Sequence, residues 1–576
     1  MTPRRGIALT LCILSLAAIA WLAGDTKDGD WTEAAPGVWR SSGSPAGHAL
    51  VSGKKALLID CPTMPDALKK RGIVPVLVLL THHHHDTLAA VEALLKDKVP
   101  VRAPAASAPW ITPEGVAKHW KEQFPLRNSR TAYLVVPEGI AGIKCDLKDG
   151  DEVEWEGWTV KAVASPGHSP DHFAYLAKRE GSRRYLFAGD ALASAGKLWT
   201  PYTTDWDHWT DAGLKPSAES LRKLAALKPD VVFPAHGEPI GREVKSRDAV
   251  RALDSTAKAV DEAAFLKSYD RYTRERIGSP PKYAFLAKEQ AGSNGSKPWS
   301  KLSAHLWFTG NTYVLASKDG PVLLVDPWSP HSEKQIEKLI ADEKLGRPEV
   351  VLCSHAHFDH YDGAYFFVGK DKPKLWATDT VALPVAEPFR LRAPFLDARP
   401  LAFDKRFKDG ESIKWREYEF RFHHLPGQTL FTMGVETRID GKRCLFTADN
   451  FFHHELYSGT GGWMGLNRSG PGLYERSARK VSAIAPEWVL AEHGSAMEFN
   501  ADDFERRAEW ARLGGKSADA LCVSGTHRHD WTPHGLRIEP LLQEAKDGKC
   551  AGELVVENVL GKARKLRVEL KGAGAW

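Results

Sequence analysis

VLVLLTHHHHDT at Val76–Thr87 and VVLCSHAHFDH at Val350–His360 are two apolar runs of strand character, each ending in a cluster of histidine and aspartate. Upstream of each lies another apolar run that ends in aspartate before a proline turn, VSGKKALLID at Val51–Asp60 and SKDGPVLLVD at Ser317–Asp326. Downstream, PGH at Pro166–His168 matches PGQ at Pro426–Gln428, LFAGD ending at Asp190 matches LFTAD ending at Asp449, and AHG around His236 matches EHG around His493. The steps from His82 through His168 and Asp190 to His236 are 86, 22 and 46 residues; from His355 through Gln428 and Asp449 to His493 they are 73, 21 and 44. Five matched segments in one order, with close spacing in all but the first gap, make the chain a tandem duplication. Strands alternate with helical periods in both copies, so each is expected to be an α/β unit.

At 576 residues the chain is too long for one small module. Its 43% apolar and 26% charged residues exclude a disordered chain and a multi-span membrane protein. The net charge of +5, or +3 without Arg4 and Arg5, is too dilute to argue for nucleic acid or an anionic membrane as partner. Arg4 and Arg5 precede an apolar run from Ile7 to Ala23, with small residues at Ala18 and Ala20. Residues 1–24 therefore read as a secretory signal peptide, with an uncleaved N-terminal anchor as the alternative. The mature protein is expected outside the cytoplasm, periplasmic or extracellular, with no membrane contact beyond that leader. Its six cysteines, Cys61, Cys145, Cys353, Cys444, Cys522 and Cys550, form no CxxC pair. Cys353 and Cys444 sit in apolar runs and read as free buried thiols, whereas Cys522 with Cys550 is the one pair considered for a disulfide.

The organisation expected is a first unit over 25–278, a linker over 279–299, a second unit over 300–515 and a β-rich segment over 516–576. Ser246 to Ile277 has helical periodicity, and Ser279-Pro280-Pro281 with Gly292 to Ser296 breaks it. In the second unit, Ser332 with Gln335 predicts a capping box opening a helix. In the tail, GELVVENVL and RKLRVEL alternate as strands with no helix between them.

His-x-His-x-Asp-His after a strand supplies imidazoles and a carboxylate from one turn. Residues two apart in extended backbone point the same way, so the first two histidines can grip one metal while the Asp and last His reach another. The PGH histidine, the GD aspartate and the HG histidine each end an apolar strand, where a shared sheet edge can gather them. Two divalent ions about 3.5–4 Å apart lower the pKa of a bound water and polarise a carbonyl or phosphoryl oxygen, which is hydrolase chemistry.

These motifs resemble those of the metallo-β-lactamase family, twice over, across roughly Trp31–Gly278 and Leu302–Gly515. The resemblance implies two αβ/βα sandwiches in tandem, each with a one- or two-ion zinc centre. Carried over by position, the metal ligands are His82, His84, Asp86, His168, Asp190 and His236 in the first copy. In the second they are His355, His357, Asp359, His360, Asp449 and His493. Asp86 and Asp359 would also orient the catalytic water. Each copy departs once from the pattern: Thr87 replaces the last histidine of the first cluster, weakening metal site two, and Gln428 replaces the PGH histidine, weakening site one. Glutamine can still offer a carbonyl oxygen, a poor zinc ligand.

His83 and His85 read as bystanders, and His423-His424 and His453-His454 as surface or rim residues. His527, His529 and His534 suggest metal by composition only. The loop Gly459–Arg468 (GTGGWMGLNR) reads equally as a substrate-facing lid anchored by Trp463 or as a structural turn.

The activity expected is a secreted metal-dependent hydrolase acting on an ester, thioester, lactam or related bond of a small molecule. Two alternatives stand beside it. One is a mononuclear iron enzyme of the persulfide dioxygenase type, for which His82, His168 and Asp190 would suffice; the other is a partly degenerate, non-catalytic binding scaffold. No nucleic-acid partner is expected, because the family's nucleases carry a large insertion after the GD aspartate and only 45 and 43 residues follow here before His236 and His493. Oligomeric state is not legible.

Overall fold

The structure is a computed structural model that describes residues 30–558 except 128–137, 207–210, 242–246, 287–297, 329–331, 392, 454, 456–464, 494, 533–534 and 541–550. The expected leader, His454, Trp463, His534, Cys550 and the expected strand at 564–570 lie outside the described residues.

Each copy folds as two sheets in the same strand order. The first copy has a seven-stranded sheet running from Trp31–Ala35 to Lys144–Leu147 and a five-stranded sheet from Glu152–Trp155 to Val231–Pro234. The second has a seven-stranded sheet from Ser300–Lys301 to Lys405–Phe407 and a six-stranded sheet from Ser412–Trp415 to Ser495–Glu498. The inner faces meet in an apolar core: Leu50, Leu57, Ile59 and Leu79 of one sheet pack on Trp158, Tyr175, Phe187 and Phe233 of the other. Helices cover the outer faces, giving the αβ/βα sandwich.

Parallel pairing is what gathers the motifs. Lys55–Ile59 runs parallel to Val74–Leu79, so Asp60 and Thr81–His82 leave the sheet at one edge. Tyr185–Gly189 runs parallel to Val231–Pro234, which brings Asp190 and His236 together. The same two pairings recur as Val322–Val325 with Pro348–Leu352 and Lys442–Ala448 with Trp488–Ala491. At that edge the sheets of each copy are tied by a buried tyrosine, Tyr175 donating to Leu80 O at 2.6 Å and Tyr313 to Ala491 O at 2.5 Å.

The two copies share a core. Helices Leu214–Ala226 and Arg247–Phe265 of the first and Pro471–Ile484 and Ala501–Leu521 of the second enter one apolar cluster that includes Leu221, Leu253, Val260, Val481 and Trp510. Trp510 Nε1 donates to Leu266 O at 2.5 Å, across the junction.

Several details depart from the sequence reading. The helical run after Ser246 is not continuous: Arg247–Phe265 stops, Ser268 caps a new turn at Tyr269–Tyr272 by accepting from Arg271 N, and a π turn closes it at Ile277. Part of the expected linker is docked, because Leu286 N donates to Ala496 O and Glu498 N to Ala284 O, adding an edge to the second copy's sheet. The helix expected there is Ser332–Asp342, and Gln335 Nε2 donates to Pro298 O at 2.7 Å; the Ser332 side chain, on which the capping box turns, lies outside the described residues. The helix Ala501–Leu521 runs through residue 516, where the β-rich segment was expected to begin; apolar residues at Trp510, Ala511, Ala518 and Leu521 carry its buried face past that point. Among the described residues the next strand is Leu536–Glu539, paired with Glu553–Val556. Cys353 and Cys444 are buried free thiols, as expected, and so are Cys61 and Cys522.

Candidate metal centres

In the first copy, three imidazoles converge. His84 Nδ1 lies 3.0 Å from His82 Nε2 and 2.9 Å from His168 Nε2. The far nitrogens of two of them are occupied, His82 Nδ1 by Thr81 Oγ1 at 2.9 Å and His168 Nδ1 by Thr203 Oγ1 at 3.0 Å, so their Nε2 atoms face inward. Asp190 Oδ2 stands 3.6 and 3.5 Å from those two Nε2 atoms. Burial pushes all three histidines down, His168 to about 4, and therefore keeps them neutral as ligands must be.

The neighbouring position in this copy is thinner. His236 Nδ1 bonds Asp190 Oδ1 at 2.7 Å while its Nε2 lies 3.4 Å from Asp86 Oδ2. Burial alone would lower His236, but the Asp190 carboxylate outweighs it and its pKa is raised. Thr87 adds nothing to this set, since its hydroxyl is turned to His84 O at 2.9 Å.

The second copy reverses the balance. His360 Nε2 lies 3.3 Å from Asp449 Oδ1, 3.6 Å from Asp359 Oδ2 and 3.2 Å from His493 Nε2. His493 Nε2 stands 3.1 Å from Asp449 Oδ2, so four side chains surround one position. At the other position His355 and His357 approach Asp449, but the amide nitrogen of Gln428 donates to Asp449 Oδ2 at 2.8 Å, so its amide nitrogen faces Asp449.

The donor chemistry fits cations. Thr81 Oγ1 donates to Asp60 and Thr203 Oγ1 to Thr200 O, so neutral His82 and His168 carry their protons on Nδ1. Both then turn Nε2 lone pairs to His84 Nδ1, whose single proton can meet only one of them; the other lone pairs oppose unless a cation lies between them. His236 Nε2, His355 Nε2, Asp359 Oδ1 and Asp449 Oδ1 are buried without a hydrogen bond. Leaving such a group unsatisfied costs about 1–3 kcal/mol each, which a cation among them would remove.

Every residue carried over from the motifs reaches one of these two edges, but the sequence reading missed the residues that hold them. Asp60 and Asp326 were read as strand ends only. Asp60 accepts from Thr81 N and Oγ1, both at 2.8 Å, and Asp326 accepts from Ser354 N at 2.7 Å and meets His360 Nδ1 at 3.0 Å. Both adopt positive φ, +56° and +53°, uncommon for a non-glycine residue though aspartate tolerates it better than most, a signal only the backbone shows. Burial pushes Asp60 up to about 7 against the two hydrogen bonds from Thr81, and the Asp190 and Asp86 carboxylates add to it. His172 also went unnoticed: Asp190 N donates to its Nε2 at 3.1 Å, and its counterpart by position is Thr432. Trp199 stacks on His236 at 4.2 Å, and Asn467 Oδ1 meets His357 Nε2 at 2.7 Å.

The remaining histidines lie off the centres. His83 is bound to Asp171 at 2.7 Å and stacked on Trp110, and His85 is exposed. His423, expected at the surface or rim, is buried and pairs with Glu436, and His424 is half-buried and meets Leu430 O. His527 and His529 bond Asp519 and Asp530, and neither joins a metal-capable cluster among the described residues.

The chain has curated relatives. It is 26% identical over 201 residues to the atrochrysone carboxyl ACP thioesterase of Passalora fulva, covering 34% of this chain and 48% of that protein. It is 30% identical over 210 residues to the beta-lactamase-like protein 2 homolog of Drosophila melanogaster, covering 34% and 60%. It is 32% identical over 145 residues to the hydroxyacylglutathione hydrolase of Cronobacter sakazakii, covering 25% and 44%. The chain thus spans about half the length of the curated relatives it matches. One family model matches twice, over residues 48–236 and 305–493, each match ending on the last histidine of its copy and the two together covering well over half the chain. The chain belongs to the metallo-beta-lactamase superfamily, as a tandem pair of its fold.

Proposed function

We propose that this protein is an exported zinc-dependent hydrolase that cleaves an ester, thioester, lactam or related acyl bond of a small molecule with metal-activated water. The observation that carries the reading is the convergence of three neutral imidazoles in one copy and of two histidines with two carboxylates in the other. That two relatives are named a thioesterase and a hydroxyacylglutathione hydrolase agrees with an acyl bond as target.

In the first copy His82, His84 and His168 would hold one ion, with Asp190 shared and only Asp86 and His236 beyond it. In the second, Asp359, His360, Asp449 and His493 would hold one ion, with His355 and His357 left for another. Bound there, such ions lower the pKa of a water and polarise the scissile carbonyl. The chain's own part is to orient. Asp359 keeps a buried oxygen uncommitted and can accept a proton from that water, and Asn467 fixes the His357 ring. A mononuclear iron reading of the persulfide dioxygenase type rests on His82, His168 and Asp190, whose Oδ2 lies 3.6 and 3.5 Å from the two Nε2 atoms. Metal analysis of the purified protein together with a hydrolase panel separates the two: zinc with acyl hydrolysis supports the proposal, and iron with no hydrolysis overturns it.

Because Thr87 and Gln428 fall on different metal positions, each copy should hold one ion tightly and a second weakly. Native mass spectrometry during graded chelation is expected to show a plateau near two ions per chain. Thr87→His and Gln428→His should each raise that plateau by one, since one imidazole carries a large share of site affinity. Four ions leaving together would sink this assignment.

Export is the second element. The charged start, the apolar run and the small residues support cleavage near Ala20–Gly24. N-terminal sequencing of protein from the cell envelope should find a new terminus there; an intact Met1 in a membrane pellet favours the anchor instead.

A further inference from the structure

In each copy, the segment that follows the metal aspartate is held by the other copy's last helix. Leu198, eight residues beyond Asp190, donates its amide to Leu521 O at 2.9 Å, where helix Ala501–Leu521 of the second copy ends. Trp199, next in line, is the residue stacked on His236. The reverse contact lies at the other junction: Tyr269, just past helix Arg247–Phe265 of the first copy, donates its amide at 2.9 Å to the carbonyl of Glu455, six residues beyond Asp449.

The second of these braces is built around a buried ionic network. Arg507 donates to Glu455 and, at 2.8 Å, to Asp503, and reaches Phe452 O and Tyr283 Oη at 3.1–3.3 Å. Tyr269 closes the ring from the first copy, its hydroxyl donating to Asp503 Oδ1 at 2.6 Å. Glu455 then accepts from Phe451 N at 2.5 Å, two residues from Asp449. The turn needs such a hold. Ala448 and Phe451, on either side of Asp449, sit at φ +56° and +68°, where a side chain is strained. The first copy places Gly189 at the position of Ala448, with φ +50° and no such penalty.

We propose that the copies brace each other's metal centres, and that Arg507 and Tyr269 are positioning residues that keep Asp449 in register to bind its ion. The proposal rests on the metal reading above, and the test below separates the failure of one from the failure of the other.

The test uses the full chain loaded with zinc, in a His82→Ala/His84→Ala background that empties the three-histidine position of the first copy. Tyr269→Phe and Arg507→Met are compared with Leu339→Ala, which reports general loss of stability as a core change in the apolar cluster of the second copy that does not include Phe451. Both brace variants should release the second copy's zinc at about 10- to 100-fold lower chelator activity, the range for partners that orient a ligand. Hydrogen exchange at the Asn450, Phe451 and Tyr269 amides, which donate to Thr447 O, the Glu455 carboxylate and Glu455 O, should speed up in parallel, while Leu339→Ala changes neither. Tyr269→Phe removes one hydroxyl and keeps the charge network, so it remains informative if Arg507→Met fails to fold. Unchanged zinc release in folded Tyr269→Phe, or an equal weakening by Leu339→Ala, overturns the proposal. If the unmodified chain binds no zinc, the metal reading fails on its own. Exchange then decides the brace: acceleration at those three amides in Tyr269→Phe supports it, and none overturns it.

Discussion

Asp359→Asn is expected to lower kcat by about 10²- to 10⁴-fold in the full chain, the range for removing a positioned proton acceptor. The change leaves size and hydrogen-bonding reach intact but removes a charge that lies 3.6 Å from His360 Nε2 and 3.9 Å from His493 Nε2. It therefore weakens the one position in the second copy with a complete donor set and removes the group that orients water there. Asp86→Asn should cost far less, because the corresponding position of the first copy lacks an imidazole where Thr87 stands. Steady-state kinetics on the best substrate of a hydrolase panel checks the pair. If Asp86→Asn inactivates the chain and Asp359→Asn is silent, the catalytic copy has been assigned the wrong way round.

Trp510→Ala should destabilise the protein by about 3–5 kcal/mol, the usual cost of emptying a large buried aromatic site. Trp510 is fully buried, donates to Leu266 O, and lies 5.2 Å from the Tyr269 ring and 5.6 Å from Tyr474. Since those neighbours come from both copies, the loss should appear in both. Urea unfolding followed by hydrogen exchange of peptides from each copy should show the two midpoints falling together. A fall confined to peptides of the second copy would mean that the common cluster does not couple the folding of the two halves.

The duplication and the residues that gather at the two edges were legible because metal chemistry restricts residue type and the parallel strands fix where each motif ends. His82, His168, Asp190 and His236 could be assigned from order alone, and Thr87 and Gln428 stood out against the other copy. The supports were not legible. Asp60 and Asp326 act through a left-handed backbone that the sequence does not announce, and His172 has no matching histidine in the second copy, where Thr432 stands, to mark it. The junction was hidden for another reason. Periodicity reports that a helix such as Ala501–Leu521 has an apolar face, but not that the face is shared with another copy, and nothing local to Arg507 announces partners as distant in sequence as Tyr283 and Glu455. The same helix obscured the start of the tail, because a change in composition near residue 516 need not end a helix whose buried face continues to Leu521.

The common cluster also has a consequence for biogenesis. The first copy is complete at about Gly278, yet the surface of helix Arg247–Phe265 that meets Trp510 finds its cover only when the chain has been made past Leu521. At a synthesis rate of about 5–20 residues per second, that interval is on the order of 10–50 s, during which Leu253, Val260 and Leu266 have no partner from the second half. A nascent chain stalled in this window exposes an apolar stripe to every other chain nearby, so holdase chaperones and proteases should meet this protein at its midpoint rather than at its ends.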